Sequence, residues 1–225
     1  MKFKKLTLYT QTLEANLAFY QQNLGLEITQ QNKNCFSVQV GWTELEFHQS
    51  DLAHHYHYCF LIPSSLLFKA MQWMENRVPV LRIEEGRKTQ FFDAWNAESF
   101  YFYDGSGNLA ECIVHYDLKS SLSYFDARKI LGVCEIGLPT TSIKDIHQQL
   151  STEIQSKFWK GDLVRFGTHG TIEAKFLIPN YTLKKTWFPT SMPVNPKNFI
   201  AIIYHQEKEY QLHFYNEKIK TQRIS

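Results

Sequence analysis

No apolar run in the 225 residues approaches the roughly 20 that a helix needs to cross a bilayer, so a helical membrane span is excluded. The four cysteines, Cys35, Cys59, Cys112 and Cys134, are scattered and form no Cys-x-x-Cys pair. They are expected to be reduced, mostly buried thiols of a cytoplasmic protein. An excess of one charge is also missing. With a formal net charge of +2 and both signs interspersed, the chain lacks the electrostatic footprint of a nucleic-acid or membrane partner. There is no Gly-x-Ser-x-Gly elbow and no P-loop. The three glycines of Gly161-Asp-Leu-Val-Arg-Phe-Gly-Thr-His-Gly170 lack G-x-G-x-x-G spacing, which predicts hairpin turns there and not a phosphate loop. The basic start, Met1-Lys-Phe-Lys-Lys5, runs into an alternating strand where a secretory leader would need an apolar block.

What is present is 44% hydrophobic and 15% aromatic, the composition of a compact, strand-rich α+β chain with one sizeable core or two small ones. Phe3 to Thr10 alternates as a strand. Thr12 is placed to cap a helix whose apolar face is Leu13, Leu17, Tyr20 and Leu24, with Gly25 as a left-handed stop. Short strands follow at 27–29, 35–40 and 43–48, giving a β-α-β-β-β unit. The pattern then recurs: a strand at 57–62, a helix carrying Leu67, Ala70, Met71 and Met74, and strands at 78–83, 90–92, 99–103 and 109–115. Residues 117–129 are polar and serine-bearing, as a linker is. A third strand-turn-helix signature occupies 132–150, with strands expected at 163–166 and 171–178 and a hairpin of 199–204 with 210–215. No fourth helix is visible, so the C-terminal half, 130–225, is expected to be one complete unit plus a degenerate one.

The stretch Tyr101-Phe-Tyr-Asp-Gly-Ser-Gly-Asn-Leu-Ala-Glu-Cys-Ile113 carries most of the functional signal. Two alternating runs flank turn chemistry, and Glu111 sits among apolar residues, where a carboxylate needs a cation or donors to face. Asp104-x-x-Gly-Asn-Leu-x-Glu111 resembles the close of a vicinal-oxygen-chelate domain, the fold of glyoxalase I, extradiol dioxygenases and the fosfomycin- and bleomycin-resistance proteins. The resemblance covers residues 3–115. It implies two βαβββ modules side by side in residues 1–116, forming an open curved-sheet cleft, with a related, partly degenerate domain after the linker. Asp93-Ala-Trp-Asn-Ala97 and Trp187-Phe-Pro-Thr190 also resemble segments of a bacterial two-part subgroup of this superfamily.

In that family one metal ligand stands on the first strand and one on the last strand of each unit. Carried over by matching residues, the resemblance implies Glu46, His57 and Glu111 as ligands, with Glu46 or Glu111 as base. Such a hard N/O set suits Zn, Mn, Fe or Ni. Lys5 falls where a His or Gln ligand would be, and an ammonium does not ligate. Lys5, Thr7, Cys59, Trp95 and Asn96 are expected to line the same cleft. Two functions follow: a divalent-metal-dependent lyase, isomerase or dioxygenase, or a metal-free small-molecule binding module in which Lys5 replaces the metal and Trp95, tyrosines and Phe60 hold the ligand. The partner is a small molecule, and the assembly a monomer or homodimer. His54 and His55 are expected in solvent, because neighbouring strand residues face opposite ways. His205 and His213, on facing arms of the last hairpin, are candidates for a structural cross-strand pair.

Overall fold

Four consecutive stretches of alternating residues build the fold of the computed structural model, which describes residues 1–225. The first contains β1 (Lys2–Thr10), α1 (Leu13–Ala18) continued by a π-helical turn (Phe19–Asn23), β2 (Ile28–Gln31), β3 (Cys35–Val40) and β4 (Thr43–Gln49). The second contains β5 (His57–Leu61), α2 (Leu67–Glu75), β6 (Gln90–Phe92), β7 (Ala97–Tyr103) and β8 (Leu109–His115). The third contains β9 (Gly132–Gly137), α3 (Ile143–Glu153), β10 (Phe158–Gly161), β11 (Phe166–Thr171) and β12 (Ala174–Pro179). The fourth is only a meander, β13 (Phe199–His205), β14 (Lys208–Tyr215) and β15 (Lys218–Arg223). No helix is long and apolar enough to cross a membrane.

Local chemistry explains most boundaries. Ser142 accepts from the Asp145 amide to start α3, whose Ile143, Ile146 and Leu150 are buried. Thr12 does not cap α1; its hydroxyl donates to Ser106 Oγ instead. The last two turns each hold a pair of left-handed residues, Gln206-Glu207 and Asn216-Glu217, the backbone that a two-residue hairpin demands. The expected strand at 78–83 is absent: Pro79 cannot donate to a ladder, and Val80 makes only an isolated bridge to Phe102. The strand expected at 163–166 is displaced: 162–165 is a turn, and the strand it leads into is β11, Phe166–Thr171.

The strands form two sheets, ordered β15-β14-β13-β1-β4-β3-β2 and β10-β11-β12-β9-β5-β8-β7-β6. This corrects the expected partnership. The first and second stretches do not share a sheet. β1 pairs antiparallel with β13, and β5 antiparallel with β9, so both sheets run across the 117–129 connection. The antiparallel joins supply each sheet with strands from both halves of the chain. One face of each sheet enters a common core, with Leu6, Leu8, Phe36 and Phe47 from the first and Tyr58, Phe60, Phe102 and Phe176 from the second, together with the apolar helix faces. Phe3 meets Phe176 edge-on with 5.3 Å between ring centroids, joining the sheets. The opposite face of the eight-stranded sheet carries His57, Glu111, Glu135 and Lys175.

Candidate metal centre and ligand cavity

Strand register brings together residues distant in sequence. Glu111 on β8 pairs with Cys59 on β5, Cys59 pairs with Glu135 on β9, and Glu135 pairs with Lys175 on β12. The four therefore form one row across the sheet, with His57 two residues along β5 on the same face. A bulge sharpens the row. On β9, Val133 opposes Phe60 and Glu135 opposes Cys59, leaving Cys134 as the extra residue. An inserted residue bends the strand and re-aims its neighbours. Here Cys59, Cys134 and Glu135 gather with their ligand atoms within 4.8 Å of one another.

His57 is fixed from both sides. Asp104, at the β7–β8 turn, accepts from the amides of Ser106 and Asn108, from the Asn108 side chain and from the Tyr58 hydroxyl. Asn108 in turn accepts from the Tyr56 amide at 2.8 Å, which holds the entrance to β5. The His57 ring donates from Nδ1 to the Leu109 carbonyl at 3.0 Å. A carbonyl can only accept, so Nδ1 carries the hydrogen, and in the neutral ring Nε2 presents a lone pair. That lone pair faces Glu111 Oε2 at 3.4 Å. Two acceptors confront each other, and something with a proton or a positive charge belongs between them.

Glu135 supplies a third acceptor, and the ligand atoms of His57, Glu111 and Glu135 all lie within 4.8 Å of one another. The Lys175 ammonium, 0% exposed, stands 2.9 Å from Glu135 Oε1. It approaches off the direction a hydrogen bond needs, so the contact is electrostatic and Oε1 keeps an unused lone pair. Burial raises the Glu135 carboxyl, Lys175 pulls it down and Glu111 raises it again; the net direction is upward. Burial alone would lower the Lys175 ammonium, but Glu135 and the nearby thiols outweigh it and hold it above the ordinary value. Lys175 also approaches His115 Nε2 at 3.4 Å and lies 5.3 and 4.9 Å from the ring centroids of Trp95 and Trp159. His115 donates from Nδ1 to the Trp95 carbonyl. Its burial, reinforced by the Lys175 charge, lowers it to about 4, so its Nε2 accepts at neutral pH.

Above the row lies a cavity of about 300 Å³ whose walls include Trp95, Tyr101, Phe166, Trp187 and Phe188. Its roof comes from the 180–198 crossover between β12 and β13. Trp187 covers His57 with 4.7 Å between ring centroids. Gly137 makes room for it, since a Cβ there would stand 2.7 Å from the Trp187 ring. Burial and the Glu111 charge hold the Tyr101 phenol well above its usual range, so it stays a hydroxyl donor.

Of the residues expected in one cleft, His57, Glu111 and Trp95 do share this cavity. Cys59 faces the same side but is packed beneath it with Cys134, fully buried. Glu46, Lys5 and Thr7 stand in the other sheet, because β4 pairs with β1 and not with any strand of the second unit. There Glu46 accepts from Lys5 (2.7 Å), Ser37 (3.1 Å), Thr7 (3.2 Å) and His48 (2.8 Å), which fills its capacity. Burial alone would raise the Glu46 carboxyl, yet Lys5 and His48 hold it below its ordinary value. Lys5 therefore neutralises Glu44 and Glu46, not Glu111. Asn96 is left-handed and donates to Asp117 outside the cavity. Phe60 belongs to the common core on the opposite face of β5. His54 is half-buried and His55 exposed. His205 opposes Lys208, and His213 opposes Ile200, so they do not pair.

The residues that sequence reasoning missed are Glu135, Lys175 and His115. The signal existed: Glu135 lies in Val133-Cys-Glu-Ile136, the first strand of the third unit, and Lys175 is the one charge in Ala174-Lys-Phe-Leu-Ile178. Both repeat the pattern that singled out Glu111, a charge in an apolar strand.

No family model and no curated protein matches the chain by sequence. Solved structures do match. A protein from Bacillus subtilis described as a dioxygenase is similar over 99% of this chain and 84% of its own, with 13% identity and a TM-score of 0.60. A glyoxalase I mutant from Zea mays is similar over 80% of this chain and 69% of its own, with 8% identity and a TM-score of 0.55. With paired βαβββ units, two curved sheets and these likenesses across most of its length, the chain has the vicinal-oxygen-chelate fold.

Proposed function

We propose that the protein binds a small oxygen-bearing organic molecule in the cavity over the eight-stranded sheet, on a divalent cation held by His57, Glu111 and Glu135. The observation that carries this reading is the convergence of ligand atoms: His57, Glu111 and Glu135 lie within 4.8 Å of one another, and the protein cation set against them, Lys175, stands at Glu135 alone. Lys175 supplies one positive charge against two carboxylates, which leaves a demand for another. One imidazole and two carboxylates suit Mn, Fe, Zn or Ni. An ion bound there would polarise a ligand oxygen as a Lewis acid. The chain's own residues do the rest. The Leu109 carbonyl orients His57, Lys175 steers Glu135 from behind, Tyr101 offers a neutral donor, and Trp187 keeps water from the acceptors.

Inductively coupled plasma analysis of protein purified without a metal-affinity tag tests the proposal. About one divalent ion per chain is expected, lost in His57→Ala and in Glu111→Gln, and Co²⁺ added to chelated protein should give a visible absorption band that the same variants abolish.

A second reading rests on Lys175 itself, which occupies the last strand of the third unit, a ligand position by resemblance. In that reading the ammonium stands in for the ion and the cavity binds its ligand without metal. Protein that is metal-free as isolated, and that takes up none of Mn, Fe, Co, Ni or Zn, would favour it over the first; Lys175→His should then create affinity for Zn or Ni.

A further inference from the structure

The outer end of the cavity has a charge pattern opposite to its floor. Arg165 ends the β10–β11 turn and Lys184 lies on the crossover, and both line the cavity. The fold holds them together: the Asn180 amide donates to the Arg165 carbonyl at 3.0 Å, and the Lys184 amide donates to the Asn180 carbonyl at 2.8 Å. Lys184 is anchored by donating to the Thr186 carbonyl at 2.9 Å, over the rings of Phe166 and Trp187.

Neither cation has a carboxylate partner among the ion pairs of the molecule. The nearest acid in sequence, Asp162, accepts from the backbone amides of Val164 and Arg165 at 2.7 and 2.6 Å; the Arg165 charge helps to hold its carboxyl down, but the two make no ion pair. Glu84, in the groove on the far side of Lys184, makes no ion pair with it. Burial first, and then the charge of Arg165, lower the Lys184 ammonium. Two cations held close without a counter-ion cost free energy that an anion between them would recover.

We infer that Arg165 and Lys184 form a clamp for an oxyanion, a carboxylate or phosphate, at the outer end of a ligand whose flat apolar body lies between Trp187 and Tyr101. The inference rests on the reading of this cavity as a binding site but not on the ion at its floor. The ligand class is thus an aromatic or planar acid, inserted with its charged end outermost. Arg165 offers a planar fork suited to two oxygens, and Lys184 a point charge beside it.

The test uses the full chain after chelation, so that metal plays no part, with quenching of tryptophan fluorescence as readout. The probes are 2-naphthoate, 2-naphthyl phosphate and the uncharged 2-acetonaphthone. At low salt the two anions should bind about tenfold more tightly than the ketone, and the preference should shrink as salt screens the clamp. The double variant Arg165→Gln/Lys184→Gln should lose that preference and keep its affinity for the ketone. Arg165 is exposed and Lys184 half-buried, so neither change touches the core. Equal binding of all three probes by the wild type, or an anion preference that survives in the double variant, overturns the clamp alone. Binding of 2-naphthoate but not of 2-naphthyl phosphate restricts the clamp to carboxylates. Failure of every probe to bind overturns the clamp, while the cation-held reading is decided separately by the metal analysis.

Discussion

At the scale of the residue, burial decides which groups titrate with consequence. His169 on β11 is fully buried, with Ser156 Oγ 2.8 Å from Nδ1 and Ser151 Oγ 3.3 Å from Nε2. Burial first, and then the charges of His147 and His205, lower it from 6.5 to about 4. In the unfolded chain it takes up a proton near its ordinary value, while in the folded chain it resists. The stability it contributes is therefore complete above about pH 6.5 and is lost as pH falls towards about 4. A shift of that size is worth on the order of 3 kcal/mol at the acid end. Urea titrations from pH 7 to pH 4 should show a shallower loss in His169→Gln than in the wild type, and parallel curves would count against the assignment. Lys175 shows the other outcome of burial: a charge kept because Glu135 faces it, where removing either partner strands the other.

At the scale of the element, the β3–β4 turn fixes how the two sheets meet. Gly41 is left-handed at φ +56°, and a Cβ there would stand 2.0 Å from the Leu131 carbonyl. The adjoining Trp42 amide donates to that same carbonyl at 2.9 Å, and Gly132 leaves space for the Trp42 ring. Gly41→Ala combines a disfavoured backbone with a backbone clash and should cost roughly 2–4 kcal/mol. A denaturation midpoint within error of the wild type would contradict this. Elements such as this turn were legible in the sequence because glycine, alternation and helical spacing are local signals. So were Glu111 and His57, a carboxylate in an apolar strand and a histidine opening one. The partners of those residues were not legible. Which first strand lies beside β5 depends on an antiparallel join between stretches on either side of a polar connection, and no local pattern encodes that join. The match of β4 to a ligand-bearing strand rested on local pattern and does not bring Glu46 to His57, because Glu46 sits in the other sheet, where Lys5, Thr7 and His48 satisfy it.

At the scale of the whole molecule, neither half of the chain closes a sheet. Residues 1–116 alone would leave β1 without β13 and β5 without β9, two unpaired central edges of the kind that seek other chains. Expressed by itself, this segment should aggregate or self-associate, whereas co-expression with residues 117–225 should give a soluble complex. Size-exclusion chromatography decides it, and a monomeric 1–116 that unfolds cooperatively would mean that the expected stand-alone domain exists after all. The same topology governs the protein's birth on the ribosome. Lys2 finds its partner at Tyr204, and His57 and Glu111, on adjacent strands, wait for β9 to bring Glu135, so β1 and β5 are made long before the strands that cover their second edges. β1 and β5 therefore keep one unpaired edge each until β13 and β9 are made, and the binding site can come into being only once the 180–198 crossover follows.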